Sequence, residues 1–270
     1  MSITASVIKK NNIHICGKQD ALQTIIFGHG FGSSQTAFAA LVRAFEQDYK
    51  IVLFDNVGGG KADIDAFNPS RYSGIQGYVT DLSDIIKSLQ LSNIIYVGHS
   101  VNGMIGLLTA NKYPDYFDKL VLLGSSPRYL NDTETAYTGG FDMEALTGLY
   151  NAMSTNYYAW ASGFSALVMR NPDQPHFAEA FAATLSAIRP DIALSVAKAI
   201  FEMDHREDLA HCTIPSLIIQ TADDVAVPVV VGDYLEQHIP GSRKVVVNAT
   251  GHFPHIVAPE EVISAIRTFI

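Results

Sequence analysis

Cysteine is nearly absent: the 270 residues hold two, Cys16 and Cys212, too far apart and too isolated for a metal knuckle or a redox pair. A reducing cytoplasmic compartment is the expectation. Charge is also sparse, at 17% of residues, and 18 basic side chains face 27 acidic ones for a net charge of −9. Such a chain lacks the basic face that phosphate neutralisation needs, so nucleic-acid binding is excluded. No run of five or six like charges offers a separate interaction tail. No stretch approaches the roughly 18 uninterrupted apolar residues of a membrane span. Near the start, Lys9-Lys10 follow the apolar residues instead of preceding them, the reverse of a secretory leader. What the chain does have is apolar bulk, 48% of residues, enough to exclude disorder and to form a core without disulfides or metals.

Short β-branched or aliphatic runs end in turn residues at 24–27, 50–54, 93–97, 119–123, 216–220 and 244–248. Runs of this kind suit strands buried on both faces of a parallel sheet. Helical patterns alternate with them at 35–45, 75–89, 101–112, 229–238 and, after Pro259, 260–270. The alternation predicts an α/β fold with helices on both faces of the sheet. Residues 5–15 read as one or two leading strands, with an antiparallel edge as one arrangement.

One interval breaks the rhythm. Between Gly124 and Pro215 lie about 90 residues, where a strand-to-strand crossover commonly takes only a few tens. Four helical stretches fill most of it, at 143–155, 157–169, 177–187 and 192–203, and the interval holds eleven aromatic side chains. These rings either build a small core of their own or line a cap over the strand ends, where open α/β sheets bind ligands. Different faces of the same helices can do both.

The strand at 93–97 runs into Gly98-His99-Ser100-Val101-Asn102-Gly103 and then an apolar helix. A serine on a sharp strand-to-helix turn is a nucleophile elbow, held under backbone strain of order 1–3 kcal/mol. The helix start also favours a developing negative charge. Asn102 breaks the strict Gly-x-Ser-x-Gly pattern, and Gly103 cannot stand in, since one residue turns a helix by about 100°. An ordinary βα turn is the plainer reading of this motif alone.

A serine hydroxyl needs a base. His252, in Gly251-His252-Phe253-Pro254-His255 after the last strand, is the candidate; His255 flanks the following helix and His99 lies inside the elbow. The orienting carboxylate is expected from Asp223-Asp224, giving the chain order serine, acid, histidine. Asp224 is favoured by its spacing to Pro228, and Asp223 is expected to cap the turn, with the choice between them still open. The first long strand ends in Gly28-His29-Gly30-Phe31-Gly32, a loop placed to supply one oxyanion N–H from Phe31, beside another from Val101. Glycines here also serve a tight turn.

Gly58-Gly59-Gly60-Lys61 fails the Walker pattern, with Asp55 where glycine belongs and Ala62 where serine or threonine belongs. Residues 55–58 are expected to shape a turn beside the pocket. No glycine-rich nucleotide fingerprint and no metal-binding helix motif appears, so no cofactor or metal is expected.

These residues resemble the α/β-hydrolase subfamily that contains the bacterial stress regulator RsbQ and the plant strigolactone and karrikin receptors. The similarity covers nearly the whole chain. It rests on 29–32, 98–101, 126–132, 139–141, Ala159-Trp160, Gly163-Phe164, 189–194 and Gly251-His252. The resemblance implies an α/β-hydrolase fold, a mostly parallel central sheet flanked by helices. The core would be 1–130 with 209–270, and a four-helix cap would occupy 131–208. It also implies Ser100, Asp224 and His252 as the triad, and an apolar pocket lined by Phe31, Tyr129, Phe141, Trp160, Phe164 and Phe201. Asn102 departs from the regulator's glycine, although plant members carry serine there, and the expected accommodation is slightly wider helix packing. Gly28 and Ser33-Ser34 depart modestly around the oxyanion loop. The activity implied is hydrolysis of a small hydrophobic ester or lactone, with butenolide-like ligands in view. A second expectation is a receptor that binds a signalling protein through its cap.

Overall fold

Valine, isoleucine and leucine crowd into short runs that stop at glycine, histidine or aspartate. In the computed structural model, which describes residues 3–270, those runs form one sheet of seven strands. In chain order the strands are β1 (His14–Gly17), β2 (Thr24–Gly28), β3 (Lys50–Leu53), β4 (Ile94–His99), β5 (Phe117–Leu123), β6 (Ser216–Asp223) and β7 (Arg243–Thr250). They lie in the order β1-β3-β2-β4-β5-β6-β7, and all neighbouring pairs are parallel except β1 with β3.

Side chains alternate across the central strands, as a period of two demands. Ile26, Val52, Tyr96, Leu120 and Ile218 face one core, and Ile25, Phe27, Ile51, Ile95, Val97, Val121 and Ile219 face another. Helices α3 (Gln76–Ser88), α4 (Val101–Lys112) and α9 (Val229–His238) cover the first core. Helix α2 (Ala39–Phe45) and the last helix, Pro259–Phe269, cover the second. After β2 the chain moves outward to β3 and then returns to β4 on the other side of β2. Gly28 and Gly98 are therefore register partners at the reversal point, where the loops after two strands diverge and leave a crevice.

The leading segment corrects one expectation. Residues Ile3–Lys10 form a helix, α1, and only His14–Gly17 joins the sheet, as its antiparallel edge. Val7 is buried against the first core, Lys9 pairs with Asp63 and Lys10 with Asp81, each at 2.8 Å. Those anchors prevail over the strand preference of Thr4, Val7 and Ile8. Asn12, at φ +45°, turns the chain out of the helix.

Between β5 and β6 run α5 (Met143–Thr155), α6 (Tyr157–Met169), α7 (Pro175–Ser186) and α8 (Pro190–Phe201). Asp142 and Asn156 cap the first two through their side chains, and proline opens the other two. The chain leaves and rejoins the sheet side by side, with a bridge between Arg128 and Asp204. There Arg128 meets Asp204 at 2.5 Å, and Arg206 reaches both Asp132 and Asp204 at 2.8 Å while lying 5.0 Å from the Tyr137 ring centre. Arg206 holds the Asp132 carboxyl down at about 2. Among the described residues no helix is long and apolar enough to cross a membrane on its own.

Candidate active site

Ser100 sits between β4 and α4 at φ +56°, ψ −125°, a conformation a side-chain-bearing residue adopts only under constraint. Its N–H donates to Leu123 O at 2.8 Å, fixing the turn to the neighbouring strand. Two glycines make room for it. A Cβ at Gly98 would lie 2.4 Å from Asn102 O, and one at Gly103 would lie 1.9 Å from Ser125 Oγ. The helix therefore starts directly at the strand end, with Ser100 as the residue before its first turn.

His252 arrives on the loop after β7, through Gly251 at φ +99°. Its Nε2 lies 2.9 Å from Ser100 Oγ and its Nδ1 lies 2.7 Å from Asp224 Oδ2. Asp224 Oδ1 accepts the backbone N–H groups of Ala226 at 2.8 Å and Val227 at 3.1 Å. The carboxylate thus faces the imidazole with one oxygen and is locked by the other. Asp223 does not cap this turn: it is half exposed and pairs with Arg170 at 3.0 Å. Asp224 makes the cap itself, which its backbone turn dictates.

Ser100 has a second neighbour, the Tyr129 hydroxyl at 3.1 Å. Burial pushes the phenol well above its ordinary value, so it stays protonated and donates to Oγ while Oγ donates to His252. His99 and His255 stay off the serine. His99 Nε2 donates to His252 O at 2.8 Å, and the His255 ring stacks 4.8 Å from Phe38. Burial holds His255 down at about 3 and His99 well below the ordinary range, so both are neutral beside His252.

The loop after β2 passes hard against the nucleophile. A Cβ at Gly30 would lie 2.9 Å from Ser100 Cβ and 2.7 Å from His99 Nδ1. The N–H groups of Phe31 and Val101 have no acceptor among the described residues, which leaves them as free donors. Asp55 accepts the N–H groups of Gln35 and Lys61 and the amide of Asn12, and Asn56 reaches the loop after β2 by donating its side-chain amide to His29 O at 3.0 Å.

Above Ser100 lies a small apolar cavity of about 30 Å³. Of the six residues that the resemblance implied for a pocket, Phe31, Tyr129, Phe164 and Phe201 lie on this cavity. Phe141 and Trp160 do not. Phe141 backs Phe201 at 5.5 Å between ring centres, and Trp160 stacks behind Phe164 at 5.1 Å. Sequence reasoning missed Val168, Phe181, Ile200, Ala226 and Phe253. Phe253 directly follows His252 and could have been found from that adjacency; Ala226 lies on the loop after β6, beside Asp224, and Val168, Phe181 and Ile200 come from helix faces that an aromatic-rich pattern leaves ambiguous.

Asn102 is fully buried. Its Nδ2 donates to His29 O and its Oδ1 accepts from Tyr96 Oη at 2.7 Å. The space comes from Gly28, where a Cβ would lie 2.7 Å from Asn102 Oδ1. The departures at 28 and 102 are one contact.

Residues 23–259 match the alpha/beta hydrolase fold family. The chain is 44% identical over 265 residues to karrikin insensitive 2 receptor CA of Petunia hybrida, covering 98% of this chain and 97% of that one. It is 38% identical over 263 residues to strigolactone esterase D14 of Arabidopsis thaliana, covering 97% of each. Among solved structures, a hydrolase from Oleispira antarctica superposes with a TM-score of 0.91 at 30% identity, over 98% of this chain and 97% of that one.

Proposed function

The chain belongs to the alpha/beta hydrolase fold family, and from that premise we propose that it is a serine hydrolase of small apolar esters or lactones. The observation that carries this reading is the continuous hydrogen-bonded line from Asp224 through His252 to Ser100, ending beneath an apolar cavity beside two free N–H donors. His252 Nε2 takes the Ser100 proton as Oγ attacks the carbonyl carbon. The Phe31 and Val101 N–H groups hold the oxyanion, and Asp224 stabilises the imidazolium. The tetrahedral adduct collapses, His252 gives its proton to the leaving alkoxide, and the acyl group remains on Ser100. Water, deprotonated by His252, then releases the acid and restores the serine; a lactone gives a single hydroxy acid.

In this reading 131–208 acts as a cap on a core made of 1–130 and 209–270, and butenolide-like compounds are the ligand class. A cytoplasmic location fits the two free thiols of Cys16 and Cys212. Replacing Ser100 with alanine should abolish turnover of p-nitrophenyl acetate by the purified protein. Unchanged turnover sinks the assignment.

A second reading is favoured by the size of the cavity. About 30 Å³ holds little more than a water or two, so a ligand must displace aromatic side chains and fill the space it opens. That geometry suits a sensor in which slow or single-turnover hydrolysis reshapes the cap for a protein partner. Two of the relatives are named for reception and for ester cleavage respectively. Intact mass spectrometry with a synthetic butenolide separates the readings. A lasting adduct, absent from Ser100→Ala, favours the sensor, and rapid multiple turnover favours the metabolic esterase.

A further inference from the structure

The first turn of α4 carries a polar side chain where packing alone would favour the smallest residue. Asn102 is fully buried, and both ends of its amide are used. Nδ2 donates to His29 O at 2.5 Å, and Oδ1 accepts from the buried Tyr96 hydroxyl at 2.7 Å. Tyr96 fixes which way round the amide sits, because its hydroxyl needs an acceptor. Burial pushes that phenol far above its ordinary value, so it remains a donor.

The acceptor, His29 O, belongs to the peptide that leads into Gly30-Phe31. A second amide, Asn56 Nδ2, donates to the same carbonyl at 3.0 Å, and the Asn56 N–H donates to His29 Nε2 at 3.0 Å. His29 Nδ1 in turn donates to Gly30 O at 2.9 Å. The orientation of the peptides before Phe31 is thus set by Asn102 from one side and Asn56 from the other. Of these two, Asn102 stands on the element that carries Ser100 and Val101.

The arrangement displaces other side chains. A Cβ at Gly28 would lie 2.3 Å from Tyr96 Oη, and one at Gly106 would lie 2.3 Å from the Tyr96 ring. Two glycines on separate elements therefore make room for the Tyr96–Asn102 pair.

From these contacts we propose that Asn102 is a positioning residue that ties the Phe31 side of the oxyanion site to the helix bearing Ser100 and Val101. It touches no substrate atom and acts through His29 O. The proposal rests on the hydrolase reading above. It assigns Asn102 to transition-state stabilisation rather than substrate binding, because the distance between two N–H donors matters most when charge develops between them.

The test measures kcat and KM for p-nitrophenyl acetate, and inhibition by phenylboronic acid, whose adduct with Ser100 Oγ places an oxygen in the oxyanion site. Parent, Asn102→Gly, Asn102→Asp, Tyr96→Phe and Ser100→Ala proteins are compared. Asn102→Gly recreates the common elbow pattern, yet should lower kcat about tenfold with KM within about twofold, since the loss falls on the transition state. Asn102→Asp sets a carboxylate against His29 O and should lower kcat about a hundredfold, the scale of one lost oxyanion donor. Tyr96→Phe frees the amide to rotate and should cost about threefold. Boronate affinity should fall in step with kcat in each.

If Asn102→Gly and Tyr96→Phe melt lower but keep kcat and boronate affinity within about twofold, Asn102 is a packing residue and the inference is overturned. These two variants decide the matter even where Asn102→Asp fails to fold. Loss of activity in Ser100→Ala alone, with Asn102→Gly unaffected, overturns only this inference. Retained activity in Ser100→Ala overturns the hydrolase reading with it.

Discussion

The floor and the roof of the cavity are made of different interactions. Beneath it, Ser100, His252, Asp224, Asn102 and His29 are held by directional hydrogen bonds, most of them between side chains and backbone. Above it, Phe164, Phe181 and Phe201 are held by ring contacts 4.7–6.5 Å apart. Directional bonds fix atoms to tenths of an ångström, whereas aromatic packing fixes shape and tolerates repacking. Chemistry needs the first kind of precision, and admitting a ligand into so small a space needs the second kind of tolerance.

The sharpest break in that comparison is on the floor. Asp224→Asn keeps the volume but removes the charge that orients His252, so kcat for p-nitrophenyl acetate should fall by about 10³–10⁴ with little change in melting temperature. A drop of tenfold or less would mean His252 is held by its surroundings alone.

Acid should weaken the same region next. His29, His99 and His255 are buried and held below their ordinary values, chiefly by desolvation. Each binds a proton more readily in the unfolded chain than in the folded one, so stability is full above about pH 6.5 and declines as pH falls. For His255, held at about 3, the loss should be on the order of 1 kcal/mol by pH 5.5, read from urea unfolding at pH 7.0 and 5.5. His255→Phe should make the slope shallower.

A smaller effect is expected where roof and floor are joined. Arg206→Ala removes the side chain shared by Asp132 and Asp204, and the melting temperature should drop by about 3 °C while Ser100-dependent turnover survives. The mildest change lies in the roof itself. Phe164→Leu should cost about 1 kcal/mol of stability and widen the range of acyl groups accepted in a p-nitrophenyl ester series. Equal sensitivity of roof and floor would erase the distinction between them.

The sequence made the floor partly legible, because its members lie on turns with strong local signals. Ser100 follows a strand and precedes a helix, His252 follows Gly251, and Asp224 precedes Pro228 by a short fixed spacing. The contact between Gly28, Tyr96 and Asn102 was invisible, since it joins three elements and each residue has an innocent local explanation. The roof was legible as four helices but not as surfaces. Nearly all faces of α6 and α7 carry apolar residues, so periodicity could not tell Phe164, which lines the cavity, from Trp160, which stands behind it. The start of α1 was misread because a few β-branched residues outweigh a helical pattern only two turns long.

One bond crosses from roof to floor at the most sensitive place. The backbone N–H of His252 donates to Val168 O, in the last turn of α6, at 2.7 Å. Gly251 presses on the same turn, where a Cβ would lie 2.3 Å from Met169 O. Any swing of α6 must pivot about that point or pull the histidine loop with it. A displacement of this turn of α6 that keeps the bond carries the His252 backbone with it, so the position of the base answers to α6 as well as to Asp224.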